Sequence, residues 1–249
     1  MIEVRGLAKS FGGLRVVEAA SFAARDGEIT GLIGPNGAGK TTLFRLIGTV
    51  LRPDRGAILV DGIDAQRDTI GARRRLGVLP DVRGLYPRLT AREHLRYFGA
   101  LHGLYGRDLN ARIAELAATL NMGDFIERRA RGFSRGQQMK VALGRALIHR
   151  PHNIMLDEPT NGLDVATSRA VRDLLRRLRG EGRCILLTSH IMQEVAALAD
   201  RIVILAGGHV VLDGTPAELR RATGLDDLEE IFMATTQDGW AEPALAAGQ

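Results

Sequence analysis

The run Gly34-Pro35-Asn36-Gly37-Ala38-Gly39-Lys40-Thr41 has the spacing Gly-x4-Gly-Lys-Thr, which cradles phosphate when it lies between a strand and a helix. Its glycines let the chain curl until successive backbone N–H groups point inward at phosphate oxygens. The helix that follows adds its positive N-terminal end. Lys40 is placed to reach the outer phosphates of a nucleoside triphosphate, and Thr41 to offer a hydroxyl to Mg²⁺. The positive charge of this chain is otherwise carried mainly by arginine, with Lys9 and Lys140 the other lysines. A compact ammonium fits between phosphates where a planar guanidinium does not.

A second constellation, Asn153-Ile154-Met155-Leu156-Asp157-Glu158, is an apolar run that ends in two acids. At the C-terminal end of a parallel strand both carboxylates would face the same crevice as the phosphate loop. Asp157 is then placed to hold Mg²⁺, directly or through water, and Glu158 to orient and deprotonate an attacking water. The plainer alternative is a surface acidic pair opening a turn before Pro159. His190 follows the apolar run Ile185 to Thr188, so it too is expected at a strand's C-terminal end, within reach of a γ-phosphate.

Ser134-Arg135-Gly136-Gln137 admits two readings. One is an N-cap serine closed by Gln137 in a capping box. The other is a helix end stripped of side-chain bulk by Gly136, and so a second anion site that one nucleotide does not need. No Cys/His group has zinc spacing and no G-x-S-x-G elbow is present.

The elements that must position these groups alternate. Short β segments are expected at Ile2 to Val4, Val16-Val17 and around Ala20 to Phe22. A strand ending near Ile33 feeds the loop, a helix runs from Thr41 to Thr49, and a strand covers Ala57 to Asp61. Thr90-Ala91-Arg92-Glu93 opens a helix with Leu95, Phe98 and Leu101 on one stripe, and a second helix covers Ala111 to Leu120. Together they make a mainly helical insert over roughly 82–132, extended to about 150 by the helix from Ser134. A strand at Asn153 to Asp157, a helix from Val165 to Arg179 and a strand at Cys184 to Thr188 follow. Ile202 to Leu205 and Val210 to Asp213 form a hairpin about Gly207-Gly208. Thr215-Pro216-Ala217-Glu218 opens a terminal helix, and the chain from Gln237 reads as a flexible tail. The fold class is α/β: a P-loop NTPase core with a mostly parallel sheet, an antiparallel β edge and a helical insert, in a single domain over 1–236.

The 249 residues, 45% hydrophobic and 25% charged, suit one soluble α/β core. No stretch approaches the ~18 apolar residues that span a bilayer, and the N-terminus lacks a signal peptide's apolar segment. Any membrane part must come from another polypeptide. The one cysteine, Cys184, lies in an apolar run and is expected in the core, which suits a reducing cytoplasm. The formal charge of +5 is dispersed and only 4% of residues are aromatic, so no nucleic-acid partner is expected.

In this order the pieces resemble the ATP-binding subunit of an ABC transporter, over nearly all of the chain. Gly34 through Thr42 resembles its Walker A, Phe133 through Gln137 its signature motif, and Asn153 through Glu158 its Walker B with the catalytic glutamate. Asn161-Gly162-Leu163-Asp164 resembles the D-loop, His190 the switch histidine, and Phe11 and Val16 the positions that pack on adenine. The resemblance implies Mg·ATP as ligand and a homodimer that stacks head to tail around two ATPs. Ser134, Gly136 and Gln137 of one copy then meet the γ-phosphate held by Lys40 of the other. It further implies a separate transmembrane permease docked at 82–105, and a cytoplasmic place on the inner face of the membrane.

Two departures stand out. Asp81 occupies the place of the family's Q-loop glutamine and is carried over as a metal-site residue. Phe133 and Arg135 replace the commoner Leu and Gly of the signature. Gly84 through Glu93, Phe133 through Gly136 and Ser189 through Val195 are similar to the ATPase subunit of bacterial sodium-extrusion exporters, whose relatives export drugs, lipids or polysaccharides. The alternative is a soluble ABC-type ATPase of translation or DNA maintenance. Such proteins usually carry two modules or a long coiled-coil insertion, neither of which is in this sequence.

Overall fold

The computed structural model describes residues 1–81 and 84–236. Ile2–Phe11 (β1) and Leu14–Ala24 (β2) form an antiparallel hairpin about Gly12-Gly13. The sequence suggested three short segments here, but the strands are continuous. Their pairing shifts register between Val4 and Ser10, and each bulge breaks the alternation by which a strand is recognised. Ile29–Ile33 (β3) is buried throughout and runs into Lys40–Ile47 (α1). Arg55–Val60 (β4) pairs with β1, and Ile63–Asp64 (β5) closes this sheet in the order β2-β1-β4-β5.

Thr69–Arg75 (α2) and Leu76–Leu79 (β6) follow, both too short to show a period in sequence. Ala91–Leu101 (α3) starts on the expected capping box, in which the Thr90 hydroxyl accepts from Glu93 N–H and the Glu93 carboxylate accepts from Thr90 N–H. Gly106–Thr119 (α4) and Arg135–Leu147 (α5) complete the helical region. Then come Asn153–Asp157 (β7), Val165–Gly180 (α6), Cys184–Thr188 (β8), Met192–Leu198 (α7), Arg201–Ala206 (β9) and His209–Gly214 (β10). The terminal helix is two helices. Pro216–Thr223 (α8) stops at Gly224, which takes a left-handed φ of 72°, and Leu228–Thr236 (α9) starts afresh. The tail from Gln237 lies outside the described residues.

The second sheet has the order β10-β9-β3-β8-β7-β6, antiparallel at β10/β9 and parallel elsewhere. Alternate residues of its central strands face two cores. Ile154, Leu156, Ile185 and Leu187 pack into one core with Leu95, Ile113, Val141 and Leu174 of the helices. Met155, Cys184 and Leu186 face the other way, onto Leu43, Ile47 and the hairpin residues Val4 and Phe22. Cys184 is buried, as expected, and burial pushes its thiol up to about 12.

Parallel pairing decides where the chemistry lies. Leu32 and Asp157 both register with Thr188, and Leu79 with Leu156. The segments leaving β3, β6, β7 and β8 therefore emerge at one edge of the sheet. They carry the phosphate loop, Asp81, Glu158 and His190 respectively.

Candidate active site

The loop after β3 has the form its glycines allow. A Cβ on Gly34 would lie 2.3 Å from the Leu205 carbonyl oxygen, and one on Gly39, at φ 101°, would lie 2.6 Å from the Val16 carbonyl oxygen. Lys40 begins α1 and turns its ammonium back over the loop, donating to Gly34 O at 2.5 Å and Pro35 O at 3.0 Å. Burial draws its pKa below the usual lysine range, against the opposing pull of Glu158 and Asp157. No acidic residue stands in the first turn of α1, so the positive helix end is not cancelled from within.

Across the cleft Asp157 is buried at the end of β7. Burial raises its carboxyl above the ordinary range, while a hydrogen bond from the Thr188 hydroxyl, at 2.6 Å, works against that rise. Glu158 takes a φ of 50°, a left-handed conformation rare outside glycine. Its N–H donates to Thr188 Oγ1 at 3.0 Å, and its Oε2 accepts from His190 Nδ1 at 2.7 Å. A carboxylate only accepts, so that ring nitrogen carries the proton.

A cleft of about 500 Å³ gathers Val16, Asn36, Gly37, Gly39, Lys40, Thr41, Thr42, Asp81, Asp157, Glu158 and His190. Gly34, Pro35 and Ala38 complete the loop without lining the cleft, and Ala38 is buried. Phe11 does not line it either. It ends β1, half exposed, with Lys9 Nζ 5.5 Å from its ring centroid. Asn161 does line it, although the sequence placed that residue only within a motif.

Ser134, Gly136 and Gln137 lie outside the cleft at the start of α5. Of the two readings of this segment, the local one is realised within the chain. Ser134 Oγ accepts from Gln137 N–H at 3.2 Å, and Gln137 Oε1 accepts from Ser134 N–H at 3.1 Å. The close approach that Gly136 permits is taken by Thr167, whose Oγ1 would lie 3.2 Å from an added Cβ.

The Thr41 hydroxyl and the Asp157 and Asp81 carboxylates are hard oxygen donors that all line the cleft, a set of donor types that fits Mg²⁺. Thr160 belongs to none of the motifs above, and Glu194 enters only as part of the run Ser189 through Val195. The Thr160 hydroxyl donates to Glu194 at 2.5 Å and Arg172 meets the same carboxylate at 3.4 Å, tying the segment after Glu158 to α7.

The family model described as ABC transporter matches residues 17–161. The ABC transporter ATP-binding protein NatA of Bacillus subtilis is 42% identical over 222 residues, covering 89% of this chain and 90% of that protein. The chain belongs to the ABC transporter ATP-binding family. It is an ABC-type ATPase, and the nucleotide it binds is ATP. The Nod factor export ATP-binding protein I of Bradyrhizobium diazoefficiens is 38% identical over 88% of this chain and 71% of its own length. Among solved structures, an ATP-binding subunit of an ABC transporter superposes with a TM-score of 0.89 at 31% identity, covering 95% of this chain and all of that one. A dimeric ATP-binding cassette in a post-hydrolysis state, bound to ADP and Pi, superposes at 0.79 and 26% identity over 86% of this chain and 98% of that one.

Proposed function

We propose that this ABC ATPase is the motor subunit of an exporter, a single ATPase domain over 1–236 that works as a head-to-tail pair on a separate membrane permease. The observation that carries the reading is the convergence of Lys40, Asp157, Glu158 and His190 on one cleft, with Glu158 and His190 hydrogen-bonded at 2.7 Å. In this reading the loop Gly34 to Thr42 holds the phosphates of ATP and Lys40 neutralises the outer ones. Glu158 takes the proton of an attacking water, and His190, bonded to it, steadies the γ-phosphate. Bound Mg²⁺ would supply charge compensation at the phosphates, held by Thr41 and Asp157 with Asp81 in the Q-loop place.

Phe11 and Val16 are assigned to the adenine side, and of the two Val16 lines the cleft. Ser134, Gly136 and Gln137 are exposed or half-buried outside the cleft, which supports their use on the ATP of a second copy. Replacing Lys40 with alanine tests the loop. Equilibrium ATP affinity falls about tenfold or more, measured by calorimetry, and turnover is lost with it. Unchanged affinity would contradict the assignment.

The export direction is supported by relatives named for Nod factor export and daunorubicin resistance. Sodium as the solute is supported by the likeness of Gly84 to Glu93 and Ser189 to Val195 described above. No helix of the described residues is long and apolar enough to cross a membrane. This reading puts the chain at the inner face through the permease.

The docking face is assigned to 84–105, the described part of the expected segment. Tyr86, Tyr97, Leu101 and Tyr105 are exposed there. The loop that bears Tyr86 is fixed by the buried His94, whose Nε2 accepts from Tyr86 N–H at 2.9 Å and whose Nδ1 donates to Thr90 O at 2.8 Å. Leu101→Glu is expected to abolish co-purification of the permease while leaving ATP affinity and the melting temperature unchanged. Retained co-purification would move the docking face elsewhere.

A further inference from the structure

Thr188 closes β8 directly after Cys184-Ile185-Leu186-Leu187, a run that packs as continuous apolar core. A hydroxyl at that depth is costly unless it is bonded. Thr188 is fully buried, and its hydroxyl is bonded twice, to neighbouring residues of β7 and the turn that follows. It donates to Asp157 Oδ1 at 2.6 Å and accepts from Glu158 N–H at 3.0 Å. The directions are fixed by chemistry: an amide N–H can only donate, so the single hydroxyl proton goes to the carboxylate.

The second bond falls on a residue with a left-handed backbone. Glu158 sits at φ 50°, a conformation that a non-glycine residue holds only when its surroundings impose it. That turn brings the Glu158 carboxylate to His190.

We propose that Thr188 is a positioning residue for hydrolysis. Its one hydroxyl locks the Asp157 carboxylate and the Glu158 backbone into a single unit, so the group assigned to the metal and the group assigned to the water keep a fixed spacing. The inference rests on the reading of Asp157 and Glu158 given above. Valine, the common residue of buried parallel strands, would fill the same space and hold neither group.

The test places wild type, Thr188→Val, Thr188→Ser and Glu158→Gln in one set of measurements: steady-state hydrolysis, equilibrium ATP binding with Mg²⁺ or with EDTA, and thermal melting. Thr188→Val lowers kcat about tenfold, the scale of one hydrogen bond to a charged group. It also reduces the gain in ATP affinity that Mg²⁺ provides, and leaves affinity in EDTA unchanged. Thr188→Ser keeps the hydroxyl and restores both quantities to within about twofold of wild type.

A Thr188→Val protein that melts lower but turns over normally would overturn the inference, as would a Thr188→Ser protein as slow as Thr188→Val. Should Thr188→Val not fold, Thr188→Cys, of similar volume and with a much weaker donor, takes its place with the same expectation. Glu158→Gln separates the two levels. Normal turnover in Glu158→Gln overturns the reading of Glu158, and this inference with it. An inactive Glu158→Gln beside a Thr188→Val with wild-type turnover overturns this inference alone.

Discussion

Glu158→Gln retains ATP and lowers steady-state hydrolysis by about 10²- to 10⁴-fold, the range contributed by a positioned general base. The substitution is close to isosteric, and a glutamine carbonyl can still accept from His190 Nδ1 where the carboxylate does at 2.7 Å. Its backbone keeps the same N–H bond to Thr188. What disappears is the ability to take a proton from water. A phosphate-release assay beside an ATP-binding isotherm reads the two effects separately. Normal release in this variant would remove Glu158 from the base role.

Ser134→Arg is expected to abolish hydrolysis while one copy still binds ATP with wild-type affinity. Ser134 lies outside the cleft of its own chain, so enlarging it leaves Lys40, Asp157 and Glu158 undisturbed. In the proposed head-to-tail arrangement the same side chain would stand at the γ-phosphate of the other copy, where an arginine's bulk would block closure. The substitution also removes the N-cap of α5, at a cost of about 1 kcal/mol. Melting curves therefore accompany the assay, and a shift of a few degrees is expected. Hydrolysis that survives Ser134→Arg would show that this helix end is not part of the site.

Much of this was legible because the signals are local. The phosphate loop needs only its own eight residues. Asn153–Asp157 and Cys184–Thr188 are read to the residue because strands buried on both faces are unbroken apolar runs. Thr90 with Glu93, Ser134 with Gln137 and Thr215 with Glu218 announce their helices three residues apart, and all three capping boxes form.

What escaped the sequence depends on the third dimension. The β1–β2 hairpin is interrupted by bulges that only pairing reveals. α7 and β6 are shorter than the window in which a period can be seen. The break at Gly224 is one left-handed residue inside a helical composition. Thr188 reads as one more strand residue until register sets it beside Asp157. Asn161 enters the cleft by a turn whose path no spacing encodes. The place of Ser134 is legible only in part, because its local cap is visible within the chain while the role proposed for it needs a second copy.

The proposed two-copy site is tested most directly by the mass of Glu158→Gln in solution. Analytical ultracentrifugation with Mg·ATP should give a dimer holding two nucleotides, and a monomer with ADP or without nucleotide. Ser134→Arg introduced into the same background should leave a monomer that still binds one ATP. A Glu158→Gln protein that saturates with ATP and remains monomeric, at concentrations far above those of the assay, would contradict the account.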